Sequence, residues 1–120
     1  EHSHEIDIKK GGIFILVQSI RSLSLEHKIL KTNTIRRIKE LNKLAIFDDE
    51  FTQELIEAFN FLCTIKLKSN LAKLDAGIKI DNYINPDDLN TMEKDLLKDS
   101  FKIVNKLKKK LEYHYKLNYV

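Results

Sequence analysis

A chain of 120 residues, 42% hydrophobic and 32% charged, is one domain with room for a single core, and its composition is that of a folded, largely helical protein rather than a disordered tail. Three glycines and one proline supply too few breaks for an all-β fold. The formal charge of +3 is mild, and the longest apolar run, "IFILV", falls far short of the roughly 20 residues that span a bilayer.

Nothing resembles a signal peptide, so a cytoplasmic location is expected. The only methionine is Met92, from which the chain is expected to be part of something longer. Cys63 is the only cysteine; it has no thiol partner for a disulfide or a zinc site and is expected to pack as a small hydrophobe.

The first informative stretch is "DIKKGGIFILVQSI" at positions 7–20. It reads as an extended segment leading into the glycine pair, Gly11 and Gly12, and then a helix from 12 to about 27. Ile13, Leu16, Val17, Ile20 and Leu23 recur at three and four. Phe14, Ile15 and Leu25 fill much of the remaining circumference, which predicts a helix buried nearly all round. Lys9, Lys10 and the amides after the glycines form either an anion nest at a helix start or a simple turn. Arg21 projects from this apolar helix and needs a partner, either an acid such as Glu40, Asp75 or Asp81, or a ligand anion. His27 closes the helix, as a C-terminal cap or as a substrate contact.

The second helix follows "KTNT", where Thr32, Asn33 or Thr34 caps the amides ahead of Ile35, Ile38 and Leu41. Arg36 and Arg37 stand beside Thr34 in its first turns, and one of the two must point away from the core. Its end, between 42 and 46, has no glycine. The third helix starts at Asp48 or Asp49, carries Phe51, Leu55, Phe59, Leu62 and Ile65, and reaches about Leu74 before the stop at Gly77. Positions 77–89, "GIKIDNYINPDDL", read as an irregular loop long enough to be functional. Asn90 and Glu93 form a variant capping box for a last helix with Leu96, Leu97, Val104, Leu107 and Leu111. Four helices with mostly short connections predict an all-α, antiparallel four-helix bundle.

Charge is unevenly spread. Five acids and no base lie between positions 48 and 57, whereas eight lysines face four acids from 89 to 120. Acids opening one helix and lysines late in another suit the helix dipole. Aromatic residues do not alternate with the lysines as a single-strand nucleic-acid binder requires, so a solvated face is expected rather than a nucleic-acid stripe. Glu5 and Asp7 have the spacing of a metal pair, and His2 and His4 form a second pair, but both pairs lie at the chain's start with no glycine-serine loop before them. No serine sits in a glycine elbow and no zinc spacing occurs.

"DIKKGGI", "RSLSLEH", "TNTIRRI" and "DNYINPDDL" come in the order and spacing of the nucleotidyltransferase substrate-binding domain family, and the resemblance runs from Ile6 to about Leu117. It implies a C-terminal helical module of bacterial signalling proteins that follows a nucleotidyltransferase-like domain, itself preceded by a cyclic-nucleotide-binding domain and paired cystathionine-β-synthase-type (CBS) domains, an arrangement similar to that of the uridylyltransferases and adenylyltransferases that modify nitrogen-regulatory proteins. The module would not be catalytic alone. It would hold no cofactor, magnesium and a nucleoside triphosphate belonging to the parent enzyme. Its partners would be the upstream catalytic domain, with residues 1–8 as linker and 9–118 as the helical domain, and a regulatory protein substrate.

Carried over residue by residue, the resemblance makes Lys9, Gly11, Gly12, Arg21, His27, Thr34, Arg37 and Asn82 the candidate substrate or nucleotide contacts, with Asp7 at the junction and Pro86 in the loop. The chain departs from the family where "KLKSN" replaces an arginine-rich segment of the third helix, since Lys66 and Lys68 keep the charge but not the fork geometry. Two alternatives remain. HEPN-type ribonucleases use an arginine and a histidine at short helical spacing, as Arg21 and His27 stand here, and a protein-interaction bundle would use the basic last helix.

Overall fold

The computed structural model describes residues 4–118. Strand β1 (Ile6–Asp7) leads into a π-helical turn (Lys9–Ile13) continuous with α1 (Phe14–Glu26); α2 (Thr34–Lys43), α3 (Asp49–Asp75), strand β2 (Tyr83–Ile84), a 3-10 turn (Pro86–Asp88) and α4 (Thr91–Asn118) follow. The expected all-α bundle of four helices is the architecture observed. Its spine is the pair α3 and α4, of 27 and 28 residues, each roughly 40 Å long. They run antiparallel: late in α4, Lys106 and Lys110 lie over the Phe51 ring at the start of α3, and late in α3, Lys68 pairs with Glu93 at the start of α4. α1 packs between α2 and α4, and α2 closes against α3.

Each helix starts at an Asp or Asn whose side chain accepts a free backbone N–H three residues on. Asp7 accepts from Lys10 (2.8 Å), Asn33 from Arg36 (3.1 Å), Asp48 from Phe51 (2.7 Å) and Asn90 from Glu93 (2.8 Å). Glu93 answers Asn90 by accepting its N–H at 3.0 Å, the reciprocal box that the spacing predicts. The first three helices close alike. Ile29, Ile46 and Ile78 donate their N–H groups back to Ser24, Leu41 and Lys73, past a residue in the left-handed region: Lys28, Ala45 and Gly77. Only one of these is the expected glycine, so α2 ends sharply through Ala45 despite lacking one.

Leu16, Ile20, Leu23, Ile38, Leu41, Phe51, Leu55, Leu62, Ile65, Leu97, Val104 and Leu107 make the buried core, with Ile8 and Ile84 joining from the strands. α1 is not buried all round, because Phe14 and Leu25 are more than half exposed; only its Leu16, Ile20 and Leu23 side is covered. Leu96, expected inward, is also exposed.

The glycine pair is not a turn ahead of the helix. Helical structure starts ahead of it, and both glycines lie in the π-helical turn. A Cβ on Gly12 would come within 3.0 Å of the Phe101 ring and 3.2 Å of Leu62, so its bareness lets the start of α1 press onto both spine helices. Residues 6–8 are built into the fold: Ile8 is fully buried and β1 pairs antiparallel with β2, Ile6 opposite Ile84 and Asp7 opposite Tyr83. The expected irregular loop therefore contains a strand, whose partner lies more than 70 positions earlier.

Gly12→Val forces branched carbon into that contact and is expected to cost about 1 to 3 kcal/mol, whereas Gly11→Ala, exposed and 3.6 Å from its nearest neighbour, should be neutral or slightly stabilising. Urea denaturation of the two variants checks this, and equal losses would remove the packing role.

Candidate functional site

The structure places the sequence-predicted site residues at two ends of one helix. Lys9, Gly11 and Gly12 occupy its first turn, beside Asn82, whose carbonyl accepts the Ile8 N–H at 3.0 Å. His27 stands at the other end, next to the short connection leading to Thr34 and Arg37. Eighteen residues of helix hold these ends roughly 27 Å apart, so a single small ligand cannot touch both.

At the far end, the Arg37 guanidinium donates to the Lys31 carbonyl at 2.7 Å, which ties the connection to α2. The His27 backbone N–H donates to the Leu23 carbonyl, and its ring lies 3.4 Å from Glu26, which also meets His114 of α4 at 2.8 Å. Arg21 is exposed. Among the described residues its expected internal ion pair with Glu40, Asp75 or Asp81 is not formed; Glu40 pairs with Lys43 at 3.0 Å and Asp81 with Lys73. Because the guanidinium is in water, no buried charge has to be offset. Arg21 and His27 stand six positions apart, about 9 Å along the axis and on different sides of it.

At the near end, the helix-start amides are engaged by the protein itself, Lys10 by the Asp7 carboxylate and Ile8 by Asn82. Asp7 thus acts as a cap. His4 is exposed, whereas His2 lies outside the described residues. Among the described residues no group of three or more His, Cys, Asp or Glu is arranged to hold a metal ion.

Next to this end opens a groove of about 660 Å³ between the second half of α3 and the segment 78–89. Its apolar lining comes from Ile65, Ala72, Ile78, Ile84 and Leu89, and its polar lining includes Glu5, Lys68, Ser69, Lys73, Asp81 and Asn85. An apolar floor with a few convergent polar groups is the usual form of a ligand site. Ile65, Lys68, Ser69, Ala72 and Lys73 recur at three and four, so one face of α3 forms the floor.

The opposite wall is held by Lys73. Its ammonium, on a side chain only 17% exposed, donates to the Asp81 carboxylate and to the Tyr83 carbonyl, while Asp81 also accepts the Tyr83 N–H at 3.0 Å. A half-buried lysine is tolerable with this set of acceptors and costly without it. At the rim, Lys68 bonds Glu93 at 2.9 Å. The Asn90 N–H and then Lys68 hold the Glu93 carboxyl below the usual carboxylate range. Partial burial pushes the Cys63 thiol up, against a smaller pull from Lys66, so this cysteine is a poor nucleophile. Sequence reasoning singled out the loop for its length but missed Lys73, because a lysine late in a charged helix carries no local mark of its partner eight residues on.

A family model described as "Putative nucleotidyltransferase substrate binding domain" matches residues 1–115, nearly the whole chain. The chain belongs to that family. No curated protein and no solved structure matches it.

Lys73→Met keeps the side chain's bulk and removes its charge. Amide exchange across 78–84 is expected to quicken roughly tenfold, equivalent to about 1.4 kcal/mol of local stability, with a smaller change in the core; unchanged exchange would show that the wall stands without this lysine. The Glu93 carboxyl is depressed in the folded chain, so its contribution is complete above the ordinary carboxylate value and is lost as pH falls through the lower folded value. The start of α4 should therefore fray in acid, and Glu93→Gln should flatten that dependence in amide exchange followed against pH.

Proposed function

We propose, from this family membership, that the chain is an accessory substrate-binding domain that packs on a nucleotidyltransferase catalytic domain within a cytoplasmic signalling protein. The groove between α3 and segment 78–89 supplies one wall of the shared pocket. The observation that carries this reading is the position of the groove, whose end is lined by Glu5, directly before the strand β1 through which the polypeptide enters the helical bundle. A domain attached ahead of β1 has this groove as its neighbour. In this reading magnesium and the nucleoside triphosphate are held by the catalytic domain, and the helical domain binds and orients what is joined to them.

Of the eight candidate contacts, we assign substrate contact to Asn82, which follows the groove residue Asp81, and to Lys9, four residues after the groove residue Glu5, and close packing to Gly11 and Gly12. Arg21, His27, Thr34 and Arg37 receive no contact with this pocket. Three leucines support packing against a partner. Leu67, Leu71 and Leu74 are 52–61% exposed at spacings of four and three, a short apolar seam on the outer side of α3.

Isothermal titration with ATP or UTP and magnesium tests the proposal on this chain alone and joined to its nucleotidyltransferase domain. Binding is expected in the joined protein only. Ala72→Trp, which fills the groove, and Lys9→Ala should each weaken it, the former by tenfold or more, while Arg37→Ala at the far end leaves it unchanged. Retention of full affinity by Ala72→Trp would remove the groove from the pocket.

A further inference from the structure

The outer face shared by α3 and α4 is divided by charge. Toward the start of α4, a shallow groove of about 400 Å³ is lined by the acids Glu54, Glu57 and Asp99 together with Phe61, Leu96 and Ile103. Immediately beyond it, an open basic concavity is lined by Lys102, Lys106, Lys109, Lys110 and Tyr113. Lys102 borders both. From 102 to 111 the helix contains five lysines and no acid, and no ion pair is formed by these lysines among the described residues. Lys106 and Lys110 are also held side by side, 5.0 and 5.2 Å from the Phe51 ring centre. Like charges at this spacing on a helix repel.

The acidic half has a matching deficiency. Among the described residues, Glu54 Oε1 is buried from solvent and has no hydrogen-bond partner, and Glu57 accepts a bond from the neutral amide of Gln53 at 3.0 Å and is in no ion pair. A carboxylate oxygen removed from water without a donor is destabilising. One half of the face thus lacks anions and the other lacks a donor.

We propose that this face binds a second copy of the same chain, with α4 antiparallel to α4 about a two-fold axis near Lys102. Such a rotation exchanges the two halves. The lysines of each copy then lie over Glu54, Glu57 and Asp99 of the other, and Phe61 and Leu96 are covered in the same step. A face that carries its own complement satisfies a two-fold, isologous contact. The stripe from Asp95 to Tyr113 is only about 27 Å long, so the contact is smaller than the roughly 1,200–2,000 Å² of a standard interface. The dimer is therefore weak, reversible and governed by charge.

Sedimentation velocity of the chain at about 0.01 M and about 1 M ionic strength, where screening lengths are about 30 and 3 Å, tests this. Dimer is expected at low salt and monomer at high salt. A triple variant, Lys106→Glu with Lys109→Glu and Lys110→Glu, should be monomeric, as should Glu54→Lys with Glu57→Lys and Asp99→Lys. An equimolar mixture of the two should form a one-to-one dimer, since an all-acidic face then meets an all-basic one. Neutralising changes, Lys109→Gln and Glu57→Gln, repeat the test should a reversed variant fail to melt cooperatively; each should weaken self-association at least threefold. A wild-type chain that stays monomeric at low salt and millimolar concentration would overturn the proposal, as would a mixture that fails to pair. Capture of the monomer by a mixed-sequence oligonucleotide, without dimer, would overturn it in favour of a polyanion.

Discussion

The close approach of the first helix to the two long ones at Gly12 governs much of what the rest of the chain can do. With no side chain at that position, the start of the helix seats against Phe101 and Leu62, and Ile8 is drawn into the core. Burial of Ile8 fixes the strand before it. That strand has one available neighbour, and its pairing at Ile6 with Ile84 and Asp7 with Tyr83 brings segment 78–89 against α3. Lys73 then secures the wall through Asp81 and Tyr83. A packing contact between three helices is thereby converted into a groove made of otherwise irregular chain.

Parts of this arrangement were legible in the sequence for a physical reason. Helix starts are local events, in which an Asp or Asn meets amides three positions away; the Asn90–Glu93 pair could be read directly, and Asn33 and Asp48 stood among two or three adjacent candidates. The core stripes of α3 and α4 were legible because long helices average over errors of period. Contacts set by distant residues were not. The glycine pair resembled a turn because nothing near it in sequence announces Phe101, some 90 positions on. Arg21 seemed to need a buried partner because α1 was read as enclosed, and enclosure depends on whether other helices reach Phe14 and Leu25, which they do not. Candidate residues sharing a helix were read together, although the length of that helix is what separates Lys9 from His27.

Charge follows the same division between local and global causes. Acids at the start of α3 and lysines late in α4 each suit their own helix dipole. Antiparallel packing then brings those two ends together, as the stacking of Lys106 and Lys110 on Phe51 records. Dipole complementarity accounts for the sign of each end but not for a run of five lysines without an intervening acid. Helix surfaces kept only for solubility intersperse both signs, and here the two signs are sorted along one face.

For a binding domain the construction of the groove has a direct consequence. Its floor is the second half of a 27-residue helix whose buried residues run from Phe51 to Ile65, and its wall is a connection held by one half-buried lysine and a two-residue strand pair. Ligand sites of this kind draw their precision from the rigid element and their selectivity from the variable one. Changes within 78–89 that keep Asp81 and the Tyr83 carbonyl in place can alter what the wall presents without disturbing the spine. Loss of Lys73 would instead free the wall while leaving the four-helix core folded. The separation of these two kinds of change means that the chemistry of the wall and the stability of the scaffold depend on different residues.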